Sequence, residues 1–399
     1  PPPAQSPVDI ILQVPAPDAL GIILKAPRPE TPAIVVTGGE VTITGFNIDG
    51  AGVGGIEVEG GSAKVTWCRV ANTAGHGGTL GSGIVARAGT SLTVENSAVT
   101  GSAGAGVFFD SASGVVSASL VSGNAQGGVR VDELTTGSVT LFASEVADNT
   151  TFGVAAFGAR GIILQRTAIT GTLADTDDVG DGLLVAHVGD QPSEVTASEA
   201  TTFAGNARVG VLVEGGSSAT LQDVVVSDNA RGGIWLQSEA GAHGTEGETE
   251  AVVIERAAVA DNTFAGIVAT TGARMRVSGS AIFGTKVGTG FAGVALVEIA
   301  DGVGLLAGAH GTIEDNTIED NARVGFVTDD VAAADVLLSG NRILAHPVGI
   351  ILQHPRDAAA NVDQNTFSNN TQDLVVPVGS DAIPMTPHFR EGLPETTVQ

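Results

Sequence analysis

Apolar and polar residues alternate in short runs along this chain, and the runs come in pairs. The first of each pair follows a glycine: Val129/Val131 after Gly128, Val211/Val213 after Gly210, Ile234/Leu236 after Gly233, Ile350/Leu352 after Gly349. Val294/Leu296 after Gly293 reads the same way. A second alternating run comes next, as in SVTLFAS (138–144) and EAVVIER (250–256). A period of two describes a strand with one face inward and one outward. No helical period separates the runs, so the pattern predicts an all-β chain.

A recurring phrase precedes the glycines. Asn–x–x–x–Gly followed by Val, Ile or Phe begins at Asn124, Asn149, Asn206, Asn229, Asn262 and Asn321. Degenerate copies are Ala51–Gly55, Ser102–Gly106 and Asn370–Leu374, with a shorter one at His346–Gly349. An apolar residue stands three positions before each, as in Val146, Val226, Val259 and Ile318. Each unit therefore reads strand, turn, strand, turn, short strand, Asn turn. Successive glycines are 22 to 33 residues apart, too few for a domain, so units must stack to bury their apolar faces. Asn tolerates left-handed backbone and can hydrogen-bond along such a stack; Gly supplies positive φ where the strand restarts. Arg208, Arg231 and Arg323 follow the Asn by two residues. They read as solvated turn residues, with Asp228 and Asp320 as ion-pair partners.

Between about residues 34 and 378 the chain resembles the right-handed parallel β-helix of the pectin-lyase-like superfamily. Some thirteen Asn-type positions at ~4.8 Å per stacked strand imply a rod of roughly 60 Å. Residues 1–33 hold nine of the sixteen prolines, which sets them apart from the repeat. VDIILQV (8–14) and GIILKAP (21–27) there predict an imperfect first coil and cap. Residues 379–399 are irregular and read as a tail or second cap.

Three turns break the rule. After Val70, Ile169 and Ile282 the Asn position is Thr73, Thr172 or Thr285, and the glycine arrives late, at Gly83, Gly182 and Gly293. The interval is four coils each time. DNTTFGVAAFGARGIILQRTAITGT (148–172) against DNTFAGIVATTGARMRVSGSAIFGT (261–285) supports an old duplication of a four-coil block. The inserted loops 73–83, 172–182 and 285–293 should share one edge, and loops on a rigid scaffold are where function concentrates. Drift at tolerant turns gives the same insertions. SEAGAHGTEGETE (238–250) reads as a solvated acidic loop, and LVEIADGVGLLAGAHG (296–311) has no specific reading.

Charge narrows the partners. The net charge is −26, with 44 acidic against 18 basic residues, a field that repels nucleic acid and anionic membranes. No apolar run reaches the length of a membrane span, and PPPAQSP at the start lacks the features of a secretory leader. One cysteine, Cys68, excludes an internal disulfide and reads as a small buried hydrophobe.

The resemblance brings candidate chemistry, because the superfamily includes polysaccharide lyases and polygalacturonase-type hydrolases. His76 in Gly75-His76-Gly77 and the Asp177/Asp178 pair match hydrolase signatures singly. Their order along the chain is reversed, however, and their loops lie four coils apart. An inverting acid and base stand ~6.5–9.5 Å apart, against ~19 Å for four strand spacings. Arg274 and Arg276 are possible lyase bases but fit an ordinary strand face, and Trp67 and Trp235 read as packing within strands. Four carboxylates in DTDDVGDG, Asp175, Asp177, Asp178 and Asp181, suit calcium; a charged turn is the plain alternative. The expectation is a secreted or cell-surface scaffold or adhesion module without catalysis, meeting a glycan or protein and able to self-associate end to end. A polysaccharide lyase or glycoside hydrolase is the alternative. A groove of acidic, Arg and aromatic residues on neighbouring coils would favour that alternative.

Overall fold

The computed structural model describes residues 23–26, 28–241, 252–288, 298–353 and 362–376. They fall into two compact units, the first ending at Thr202 and the second beginning at Phe203. Both are built from one kind of coil. In the first unit a coil runs through strands Val129–Asp132, Val139–Phe142 and Glu145–Ala147. In the second it runs through Val209–Val213, Ser218–Gln222 and Val225–Ser227. The alternation seen in the sequence is why: Val129, Val131, Val139, Leu141 and Val146 point inward and are fully buried.

Each strand pairs in parallel with its counterparts one coil away. Val129–Asp132 lies between Val107–Asp110 and Thr151–Phe157, with Val131 opposite both Phe109 and Ala156. The short strand Glu145–Ala147 lies between Leu120–Ser122 and Ala168–Thr170. In the second unit Gly232–Leu236 lies between Val209–Val213 and Phe264–Ala269. GIILKAP contributes a strand, Ile23–Leu24, paired with Asn47–Asp49. The cap string 8–14, the tail 379–399 and the acidic loop at 242–250 lie outside the described residues.

The Asn phrase makes a ladder. The Asn206 backbone N–H and Nδ2 both donate to Asn229 Oδ1, at 3.0 and 2.8 Å. Asn229 does the same to Asn262, at 3.1 and 2.9 Å, and also gives Nδ2 to the Phe203 carbonyl. In the first unit Asn124 repeats this on Asn149. All of these residues are buried, so each amide bond is made away from water, where leaving it unmade costs most.

The backbone reason for the phrase differs from the expectation. The left-handed residue is the one before the Asn, as at Asp148 (φ 54°), Asp228 (55°) and Asp261 (56°). The glycine four residues after the Asn has no positive φ; it is required by space. A Cβ on Gly233 would stand 2.4 Å from the Gly266 carbonyl oxygen, and one on Gly266 2.6 Å from that of Gly302. The glycines stack so closely that no side chain fits between successive coils.

That stack relocates the third loop. The glycine in line above Gly266 is Gly302, whose own Cβ would meet the Gly325 carbonyl at 2.6 Å. Gly293, Val294 and Leu296 lie outside the described residues. The coil resumes instead in strand Ala300–Leu306, followed by His310–Glu314, which accounts for the otherwise unread string 296–311.

A second ladder runs at the corner before the short strands. The backbone N–H of Cys68 donates to Ser97 Oγ, Ser97 to Ser119 and Ser119 to Ser144, at 3.1 to 3.2 Å. In the second unit Asn316 donates to Asn341 and Asn341 to Asn365. Cys68 thus holds a serine's place, and burial pushes its thiol pKa up.

Candidate functional site

Two of the loops singled out in the sequence, 73–83 and 172–182, are turns with internal explanations; the third lies partly outside the described residues. His76 and Thr79 exchange both backbone hydrogen bonds at 3.0 Å around Gly77 (φ 60°) and Gly78 (φ 86°). Positive φ at both central residues is the type I′ hairpin pattern, and the His76 side chain is exposed at its edge. In the other loop, Asp175 Oδ1 accepts from the Asp177 and Val179 N–H groups at 2.9 and 3.0 Å. Its Oδ2 accepts from Thr151 Oγ1 at 3.1 Å. Asp181 lies in strand Gly180–Ala186, fully buried and opposite Phe152. The four aspartates therefore do not converge, and among the described residues no group of three or more acidic, His or Cys side chains could hold a metal ion. The short strands preceding the two loops, Arg69–Ala71 and Ala168–Thr170, are four pairings apart. At ~4.8 Å each, His76 and the Asp177/Asp178 pair do not meet.

Between those loops the coils bring together something else. The second and fourth residues after each stacked glycine point outward from the first strands. In the first unit they include Glu57, Arg87, Phe108, Asp110, Arg130, Asp132 and Phe157 on successive coils. Arg87 Nε donates to Glu57 Oε1 at 2.7 Å, and its Nη1 reaches Asp110 Oδ2 at 3.3 Å. Arg130 grips Asp132 with two nitrogens, at 2.8 and 2.7 Å. Its guanidinium lies 5.3 Å from the Phe108 ring centroid and 5.2 Å from that of Phe157, within cation–π range of both. Phe157 in turn meets Phe152 edge-on, at 6.1 Å.

The electrostatics follow from this crowding. Burial pushes the Asp132 carboxyl above its ordinary pKa; Arg130 opposes the shift, and the charges of Asp110 and Glu133 add to it. For Arg87 burial works against the charge, but the hydrogen bonds and charges of Glu57 and Asp110 outweigh it and hold the guanidinium above its usual value. The ridge is still open to water: the Arg87 and Asp110 side chains are 43% and 39% exposed.

The model of the right handed beta helix region matches residues 29–172 and 192–386, most of the chain. This protein belongs to the right-handed β-helix family. Solved structures also align with the chain, each at low identity. The periplasmic alginate epimerase AlgG is 11% identical, covering 88% of this chain and 79% of that one, with TM-score 0.49. The AlgE4 A-module, a mannuronan C-5 epimerase from Azotobacter vinelandii, is 16% identical, covering 82% and 91%, with TM-score 0.40. The Dettilon tailspike protein is 13% identical, covering 87% and 61%, with TM-score 0.38. No protein of curated function matches the sequence.

In the second unit of the β-helix the same outward positions carry Leu212, Trp235, Val268, Val327 and Ile351, all buried. Trp235 is therefore packing, as its sequence context suggested. Trp67 is not in a strand: it occupies a left-handed corner (φ 55°) and is 45% exposed. Arg274 and Arg276 lie on the exposed face of an ordinary strand. Two of the three turn arginines are not solvated as expected. Arg208 is buried, and Arg323 makes a two-pronged ion pair, Nε to Oδ1 at 2.7 Å and Nη2 to Oδ2, with the fully buried Asp301. Asp228 pairs instead with Lys286, at 3.1 Å.

Proposed function

We propose that the outward ridge of the first unit is a glycan-binding surface on a rigid β-helical scaffold. The observation behind it is the line of alternating guanidinium and carboxylate groups on neighbouring coils, flanked by Phe108 and left partly open. Paired Arg and Asp groups fixed on strands offer donors and acceptors to vicinal hydroxyls, and a half-buried phenyl ring offers a face to sugar C–H groups. The net charge of −26 favours neutral over polyanionic glycans. A secreted or cell-surface setting goes with this reading, and no helix among the described residues is long and apolar enough to cross a membrane.

The test is a screen of neutral and acidic oligosaccharides, followed by titration calorimetry on Phe108→Ala and Asp110→Asn. Each substitution should weaken binding of a neutral glycan about tenfold, the scale of one lost contact of ~1.4 kcal/mol, and leave the melting temperature in place. Absence of binding to every neutral glycan would reject the proposal.

The same ridge, with acidic, Arg and aromatic residues on neighbouring coils, also favours a second reading, that of a polysaccharide lyase or hydrolase. Within it Asp132 is the candidate acid, its carboxyl pushed up by burial although Arg130 holds it with two nitrogens. Polysaccharide turnover that vanishes in Asp132→Asn while binding persists would establish it.

A further inference from the structure

The ridge does not end at the strands. Three residues beyond Asp132 and Phe157, where the same two coils turn toward their second strands, stand Thr135 and Arg160. The next coil adds a hairpin, Val188–Gln191, whose end residues exchange backbone hydrogen bonds at 2.9 and 3.0 Å. Only the first central residue, Gly189, has positive φ (56°), as a type II′ turn requires. Together Thr135, Arg160, Val188, Asp190, Gln191 and Pro192 enclose an open concavity of about 540 Å³, within the ~300–1,000 Å³ of small-ligand sites. Gln191 is tied by its Nε2 to the Gly158 carbonyl at 2.5 Å, so that wall is fixed. Arg160 and Asp190 have no ion pair with each other or with any other described group. This contrasts with the ridge, where each guanidinium already holds a carboxylate. Two opposite charges share the rim of one hollow and leave their hydrogen-bonding capacity to a ligand.

We infer that this hollow is a subsite for one saccharide unit of a glycan lying on the ridge, with Arg160 donating to, and Asp190 accepting from, its hydroxyl groups. The position fits. A chain laid across the coils from Glu57 to Asp132 spans three stacking steps, ~14 Å, and arrives at the coil that carries Thr135. The inference rests on reading this unit as a glycan binder, and it adds where one sugar residue is held and by which groups.

The double variant Arg160→Ala/Asp190→Ala separates the two claims, because both side chains are exposed and neither is tied to the fold. Cello-, manno-, xylo- and maltohexaose would be titrated into the wild-type protein, this variant and Phe108→Ala, with melting curves for each. The expected result is a tenfold or greater rise in Kd for the double variant at unchanged melting temperature. A Kd unchanged in the double variant but raised in Phe108→Ala overturns the subsite and leaves the ridge standing. A Kd raised in the double variant alone supports the hollow and removes the ridge. Wild-type protein that binds none of the four hexaoses overturns both.

Discussion

The outward positions of the first strands are charged and partly open on four coils of the first unit and withdrawn from water in the second. In the first they hold Glu57, Arg87, Asp110, Arg130 and Asp132 in a partly open ridge. In the second they hold Leu212, Trp235, Val268, Val327 and Ile351, withdrawn from water. The polar residues on the second face are withdrawn as well: Gln237 donates to Glu214 at 2.9 Å, and both are buried. The backbone beneath is the same coil, so strand pairing did not require either arrangement. The inward positions hold the coil together, and the outward ones are free to be stability in one place and chemistry in another.

The largest expected effect tests that division directly. Trp235→Ala on the buried face should cost about 3–5 kcal/mol, the range for emptying a packed aromatic site. Phe108→Ala on the ridge should stay below about 1 kcal/mol, since its ring is already half in water. Urea unfolding of both variants measures this. Equal losses would mean that the two faces do the same job.

Next in size is a substitution to which the difference should be blind. Asn149→Ala in the first unit and Asn229→Ala in the second each strand buried donors of a neighbouring rung. Each should cost about 1–3 kcal/mol. Losses that differ by more than the lower end of that range would show that the ladder, too, is specialised by unit.

Acid should act on the second unit through His346, which takes an Asn place in its ladder. Nδ1 accepts from the Asn321 N–H at 3.1 Å, and Nε2 faces the Ile318 carbonyl at 3.0 Å, which assigns the neutral tautomer with its proton on Nε2. Burial lowers this imidazole's pKa, although the hydrogen bonds to Ile318 and Asn321 and the charges of Asp320 and Glu319 oppose the shift. As pH falls through ~6.5 the unfolded histidine takes a proton that the folded one refuses, so stability drops from there toward the lower folded pKa. In His346→Asn this part of the pH dependence should be gone. A pH profile identical to wild type would rule out His346 as its source.

The smallest expected effect is none. Asp175 is occupied with backbone N–H groups and Asp181 is inside a strand, so calcium and chelator should give the same melting temperature. A rise with calcium that disappears in Asp177→Ala/Asp178→Ala would restore the metal site.

The coil was legible because its cause is local. Alternation and the Asn phrase sit within one unit, and Asn229 falls between Asn206 and Asn262 as the repeat implies. Gly293 misled because the sequence shows only that a glycine precedes an apolar stretch; the Gly325 carbonyl, which leaves no room for a Cβ, selects Gly302. The ridge was hidden for the opposite reason. Glu57, Arg87, Asp110 and Asp132 are 22 to 30 residues apart in the chain and meet only through stacking. A signal existed, in the second and fourth residues after every stacked glycine, where charge replaces apolar character on four successive coils. Reading only the inward Val129/Val131-type positions passes over it.

The Asn ladder also has a direction. Each Asn rung offers its donors to the rung that follows and its side-chain carbonyl oxygen to the rung that precedes, so every coil that carries the Asn presents the same plug on one side and the same socket on the other. A copied coil, or a copied block of four, can therefore enter the column at any level and find its bonds already waiting. Half a coil cannot. Gene duplication could lengthen such a molecule in whole steps without renegotiating its interior, while the corners between steps stayed free to lengthen into loops.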